Sequence, residues 1–217
     1  MSSSVDNLLK FRPARLDEAE QLNELINASF GATDPRDVYL PGKSSSDVDT
    51  KFMDVSRVVA SIEDPSSYVV VVTTSTPSSP TTTTTTPNTT FENENENKNE
   101  EVIIAHAILH NLPPNHPNSQ TTLPLAWLSV LAVSPAHQGR GIGAAVLRWA
   151  EEHARNAWGK ARLELNVLSS RAPLLAWYRS RGYAPTGESS PFVYQYYGDW
   201  RGVLRDDLSF LNLGKDL

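Results

Sequence analysis

The chain has 217 residues, with 19 Lys and Arg against 25 Asp and Glu, a net charge of -6 with neutral histidines, and no cysteine. That length suits one domain, the acidic balance argues against a nucleic-acid partner, and the missing thiols exclude disulfides, thiolate metal sites and a cysteine nucleophile. The opening Met1-Ser-Ser-Ser-Val-Asp6 carries no basic or apolar leader and no apolar run of about 18 residues occurs, so an intracellular, cytoplasmic protein without a membrane partner is expected.

Lys10 to Ala14 reads as a short strand, and Asp17 begins a helix to about Phe30 with Leu22, Leu25 and Ile26 on one face, stopped by Gly31. A second helix is expected from Asp47 to Ile62, where Val48, Phe52, Val55, Val59 and Ile62 recur at helical spacing before Asp64-Pro65 ends it. Tyr68 to Val72 and Val102 to Leu109 are strand-like runs. Residues 73–100 between them are Thr, Ser and Pro followed by alternating Asn and Glu. Such a segment buries too little apolar surface to offset its ordering entropy, so it is expected to be a disordered insertion in an enlarged hairpin of a single domain spanning 1–217.

A strand is expected from Leu125 to Val133, and beyond a glycine-rich turn a helix with Ile142, Val146, Trp149, Ala150 and Ala157 as its buried stripe. On that helix Arg148, Glu151, Glu152 and Arg155 should face water, with Glu151 and Arg155 paired one turn apart. Arg162 to Leu168 is a strand, Ala172 to Ser180 a helix, and Gly182-Tyr183 opens another strand. An excursion over 187–207 holds Phe192, Tyr194, Tyr196, Tyr197 and Trp200, and Leu208 to Leu213 is the last strand. The order is β-α-α-β-β-β-α-β-α-β-β.

The most informative stretch is Leu128 to Leu147, where an apolar strand passes through Pro135 into Gly139, Gly141 and Gly143 and then into an amphipathic helix. Glycines free of side chains let successive N–H groups face outward, and the helix adds its positive dipole end, which suits a diphosphate. Gly139, Gly141 and Ala144 also fit the Gly-x-Gly-x-x-Ala of a dinucleotide fold, with Glu164 further on. Against that, Ser134 to Gln138 separate the first glycine from the strand end, and Glu164 lies inside an apolar strand. No Gly-Lys-Ser/Thr follows, which removes a P-loop.

Gln138-Gly-Arg-Gly-Ile-Gly143 reads Gln-x-x-Gly-x-Gly and resembles the acyl-CoA pyrophosphate loop of the GNAT superfamily of N-acetyltransferases. Arg171-Ala-Pro-Leu-Leu-Ala-Trp-Tyr-Arg-Ser-Arg-Gly-Tyr183 is similar to that family's helix ending in Tyr before a Gly-aromatic pair, and the element order agrees over nearly the whole chain outside the insertion. The resemblance implies an α/β (α+β) fold. In it a mixed central sheet of about six to seven strands carries helices on both faces and splays between its fourth and fifth strands.

It further implies acetyl-CoA as cosubstrate, with backbone groups of Leu131, Ala132 and Val133 offered to the pantetheine arm. Gln138, Gly139, Arg140, Gly141, Ile142, Gly143 and Ala144 would receive the pyrophosphate, and Arg171 stands where the family commonly has Asn. Tyr178 maps onto the general acid that protonates the departing thiolate. The acceptor would be a primary amine on a small molecule or peptide, attacking the thioester directly in a ternary complex, in a pocket walled by the first helix, residues 34–42 and the aromatic excursion. Trp127-Leu-Ser-Val130 supplies no carboxylate base, which leaves His106, His110, Glu164 or a water chain. His110 and His116 lack metal-ligand spacing, so no metal is expected. The alternatives are a catalytically idle acyl-CoA-binding module and, from the glycine pattern, a dinucleotide enzyme.

Overall fold

The computed structural model describes residues 9–31, 53–76, 100–113, 123–192 and 204–217. Its elements are β1 (Lys10–Pro13), α1 (Ala19–Gly31), α2 (Val55–Glu63), β2 (Ser67–Thr76), β3 (Glu100–Asn111), β4 (Leu125–Val133), α3 (Ile142–Asn156), β5 (Arg162–Leu168), α4 (Ala172–Arg179), β6 (Ala184–Pro191) and β7 (Ser209–Asp216). They form one sheet in the order β1-β2-β3-β4-β5-β7-β6. Among the described residues only β4 and β5 pair in parallel, and α3 makes the crossover between them.

Unbroken apolar strands such as Val69–Val72 need cover on both faces. On one face Val70, Val72, Ala107 and Leu109 pack with Val146, Leu147 and Ala150 of α3 and with Leu175 and Tyr178 of α4. On the other, Val69, Val71, Ile108 and Val130 pack with Leu22 and Ile26 of α1 and Val58 of α2. Leu22 and Ile26 keep no exposed surface, so truncating either to alanine would cost on the order of 2–5 kcal/mol. No described helix is long and apolar enough to cross a membrane.

Several elements depart from what the sequence predicts. A short 3-10 turn over Leu16–Glu18 precedes α1, because the Glu18 carboxylate takes both the Arg15 amide at 2.8 Å and the Arg12 guanidinium at 2.7 Å. In α2 the fully buried residue is Val58, flanked by half-buried Val55, Val59 and Ile62, and the predicted start at Asp47 lies outside the described residues. Thr73–Thr76 and Glu100, assigned by composition to the insertion, instead extend the β2–β3 ladder past a bulge after Val72, and Thr73 Oγ1 donates to Glu101 Oε1 at 2.8 Å. Residues 77–99 lie outside the described residues.

The α3 stripe is Ile142, Ala145, Val146, Leu147, Ala150 and Ala154, with Trp149 half-buried; Ala157 follows the helix end and is exposed. Glu151 does not reach for Arg155. It accepts from the Tyr183 hydroxyl at 3.1 Å and from Lys215 Nζ of β7 at 2.7 Å. The final hairpin also differs: β6 runs from Ala184 to Pro191, taking Gly187–Pro191 out of the expected excursion, and β7 continues to Asp216. Phe192 stacks on Phe210 at 5.5 Å, while Tyr194, Tyr196, Tyr197 and Trp200 lie outside the described residues.

His106 on β3 is fully buried beside Leu22 of α1, and neither ring nitrogen makes a hydrogen bond of ordinary geometry. Desolvation of the imidazolium pushes its pKa down to about 4. Below about pH 6.5 the unfolded chain binds a proton that the native ring refuses, so stability falls as pH drops from there toward 4 and levels off beneath it. Denaturant titrations are expected to show His106→Leu retaining on the order of 3 kcal/mol that the parent loses across this window.

Candidate active site at the split between two strands

The β4–β5 ladder holds four pairs, from Leu125↔Arg162 to Leu128↔Leu165. Past it, β5 keeps only β7, on its other edge, and β4 runs on from Ser129 to Val133 without a partner on that side among the described residues. The divergence starts at a β-bulge: Ile108 pairs Val130, Leu109 pairs Leu128, and Ser129 is the extra residue between them. Such an insertion bends a strand and re-aims its backbone.

Register tells which backbone groups face the gap. Ser134 N donates to Ile104 O at 2.8 Å, and in an antiparallel ladder hydrogen-bonded and open positions alternate. Leu131 and Val133, opposite Ala107 and Ala105, therefore turn their N–H and C=O groups away from β3, whereas Ala132, opposite His106, commits its own to β3. The Val133 carbonyl is taken by Ser29 Oγ of α1 at 2.8 Å and Gln138 Nε2 at 3.1 Å. Of the three residues expected to meet a pantetheine arm, Leu131 presents both groups, Val133 its amide, and Ala132 neither.

The chain leaves β4 through a 3-10 turn, Pro135–His137, into the glycine loop. Gly139 and Gly141 have φ of 74° and 83°, left-handed values that favour glycine, and a Cβ on either would meet nothing within 4 Å. Backbone conformation, not crowding, requires glycine there. Gly141 caps α3; its carbonyl accepts the amides of Ala144 at 3.0 Å and Ala145 at 3.1 Å, and the Gln138 amide bonds Pro135 O at 3.4 Å. Gln138 and Ala144 thus use their amides internally. Those of Gly139, Arg140, Gly141, Ile142 and Gly143 find no protein acceptor among the described residues. The Ile142 side chain is core, and the exposed Arg140 guanidinium has no acidic partner among the described residues.

Gly143 ties loop, strand and α4 together. A Cβ there would lie 3.7 Å from Trp177, 3.8 Å from Val133 and 3.9 Å from Leu131. Trp177, noted in the sequence only as a neighbour of Tyr178, lines the same space, with the Arg181 guanidinium 3.8 Å over its ring and Tyr178 edge-on at 4.9 Å. Arg171 caps the start of α4. Tyr178 is buried, its hydroxyl has no protein hydrogen-bond partner among the described residues, and burial holds its pKa above the ordinary phenol value, against a smaller opposing pull from Arg181. It remains a proton donor at neutral pH.

The expected bases separate clearly. Glu164 is buried and gripped by Arg162 Nε at 2.6 Å; His106 has no surface. His110 lies at the split, its Nδ1 2.7 Å from Ser67 Oγ and its Nε2 2.9 Å from Ser129 Oγ. Sequence reasoning passed over Ser129, although it is the one hydroxyl in the run Leu125–Val133. Ser29, Ser67 and Asp64 carried no such signal, because only strand register brings them in.

A model of the Acetyltransferase (GNAT) family matches residues 73–183. No curated protein matches the chain by sequence. Among solved structures, Arabidopsis thaliana NAA60 in complex with a bisubstrate analogue superposes with a TM-score of 0.62 at 11% identity, over 96% of this chain and 99% of that one. Nourseothricin acetyltransferase gives 0.56 at 18%, over 96% and 98%, and IAA acetyltransferase from Bacillus cereus ATCC 14579 gives 0.53 at 14%, over 96% and 99%. At these identities the superpositions establish the fold, and with the family match spanning more than half the sequence the chain belongs to the GNAT acetyltransferase family.

Proposed function

We propose that the protein transfers the acetyl group of acetyl-CoA to a primary amine, by direct attack of the amine within a ternary complex. The observation that carries this reading is the run of amides from Gly139 to Gly143 lacking protein acceptors at the start of α3. Oriented N–H groups, a helix dipole and the Arg140 guanidinium suit a pyrophosphate. One strand away, the gap-facing groups of Leu131 and Val133 suit the amides of a pantetheine arm laid along β4 as an added strand. That arm would run past Gly143 and Trp177 toward Tyr178.

The amine nitrogen attacks the thioester carbonyl carbon, the C–S bond breaks, and Tyr178 donates its phenolic proton to the thiolate. An alkylammonium with a pKa near 10 must first lose a proton, at a cost of about 4–5 kcal/mol near pH 7. Glu164 is buried and committed to Arg162 at 2.6 Å, so it supplies no free carboxylate for this.

Calorimetry with coenzyme A and thiol release from acetyl-CoA over an amine panel test the reading; absence of coenzyme binding would refute it. Binding with turnover no greater than in Tyr178→Phe would leave an acyl-CoA-binding module. Arg140→Ala is expected to raise the coenzyme Kd about fivefold at low salt and less as salt screens the charge, without lowering the melting temperature. Tyr178→Phe should leave the coenzyme Kd within twofold and reduce kcat by about 10²-fold, read by thiol release.

A further inference from the structure

Ser129 is exposed, forms the bulge, and is the first β4 residue beyond the ladder to β5. Behind its hydroxyl runs a hydrogen-bonded file: Ser129 Oγ to His110 Nε2 at 2.9 Å, His110 Nδ1 to Ser67 Oγ at 2.7 Å, and Ser67 Oγ to Asp64 Oδ2 at 2.9 Å. Proton positions follow from the far end. The Ser66 hydroxyl and amide, with the Ser67 hydroxyl, hold Asp64 below the usual carboxylate range, so it is ionised and can only accept. Ser67 therefore donates to Asp64 and accepts from Nδ1–H of His110. That leaves Nε2 with its lone pair facing the Ser129 hydroxyl, whose other acceptor, Ile108 O, is farther away at 3.3 Å.

We propose that Ser129 and His110 form the relay that removes the acceptor amine's proton, Ser129 passing its hydroxyl proton to His110 Nε2 as its oxygen takes one from the ammonium. The proposal rests on the acetyl-transfer reading above. One ammonium proton ends on His110 and then leaves to solvent. The second is shed from nitrogen as the C–S bond breaks and restores the Tyr178 phenol, whose own proton has gone to the thiolate. Atoms and charge balance, and no carboxylate on β4 is needed.

Burial pushes the His110 pKa below the ordinary imidazole value and Asp64 draws it part of the way back, so the ring is neutral and able to accept at pH 7. Among the described residues its surroundings hold few charges. The α2–β2 turn contributes Asp64, β4 brings Trp127 and Ser129 opposite it, and Lys160 Nζ, at the end of β3, is bound to Leu112 O at 2.8 Å.

His110→Ala and Ser129→Ala should each keep the coenzyme A Kd within twofold, which serves as the folding control. With spermidine, tyramine and an alanine-led peptide as acceptors, His110→Ala is expected to lower kcat/KM about 10²-fold at pH 7 and to move the acid limb of the pH profile up toward the amine's own pKa. The rate should recover toward about pH 10, where the amine arrives neutral; Ser129→Ala should show a smaller loss with the limb kept. A parent that binds no coenzyme A would take down the acetyl-transfer reading and the relay with it. A parent that transfers acetyl while His110→Ala stays within twofold, its profile unmoved, would overturn the relay alone. Nitrogen NMR needs no acceptor: Nδ1 protonated and Nε2 bare supports the file, and the opposite tautomer, or an acetyl group found covalently on Ser129, overturns it.

Discussion

Where β4 parts from β5, backbone polar groups would be left in a partly buried seam, and an unpaired buried N–H or C=O costs about 1–3 kcal/mol. The fold meets this differently on its two sides. β5 keeps β7 along its far edge from Arg162 to Leu168, while its ladder to β4 ends at Leu165. β4 bulges at Ser129, gives Ala132 to β3, and closes the Val133 carbonyl with Ser29 and Gln138. What is left over is a short edge of amide groups with defined spacing. A ligand that itself carries amides could complete it by pairing as an added strand.

The glycine loop extends the same logic from hydrogen bonding to charge. Gly139 and Gly141 reach left-handed conformations that turn the amides before α3 outward, and α3 is long enough for its dipole to reinforce them. Side chains contribute little to this except Arg140. Gly143 differs from its neighbours: its φ is ordinary, and its lack of a side chain preserves room beside Trp177, Val133 and Leu131. Three glycines that look equivalent in sequence serve two physical purposes.

The architecture was legible because apolar runs mark doubly covered strands and because the loop motif sits at a strand-to-helix junction; β4 and β5 fall on their predicted bounds. Local rules failed where partners are distant. Glu151 reads as a solvent-facing residue paired one turn away, yet its partners stand 32 and 64 residues off, on the far side of the sheet's crossover. Thr73 to Thr76 looked like low-complexity linker, but β-branched threonines pair well once a neighbouring strand is in register. The file from Asp64 to Ser129 joins three strands and depends on a one-residue shift in pairing, which alternation in sequence cannot reveal.

Glu151 also bears on how the two halves of the sheet hold together. It sits midway along α3, the helix that belongs to the β4 side, and it grips Tyr183 and Lys215, which belong to the β5 side. A carboxylate held by a phenol and an ammonium thus rivets the two flaps of the fissure together on the α3 face. On that face the two sides are therefore joined by charge and hydrogen bonding as well as by packing.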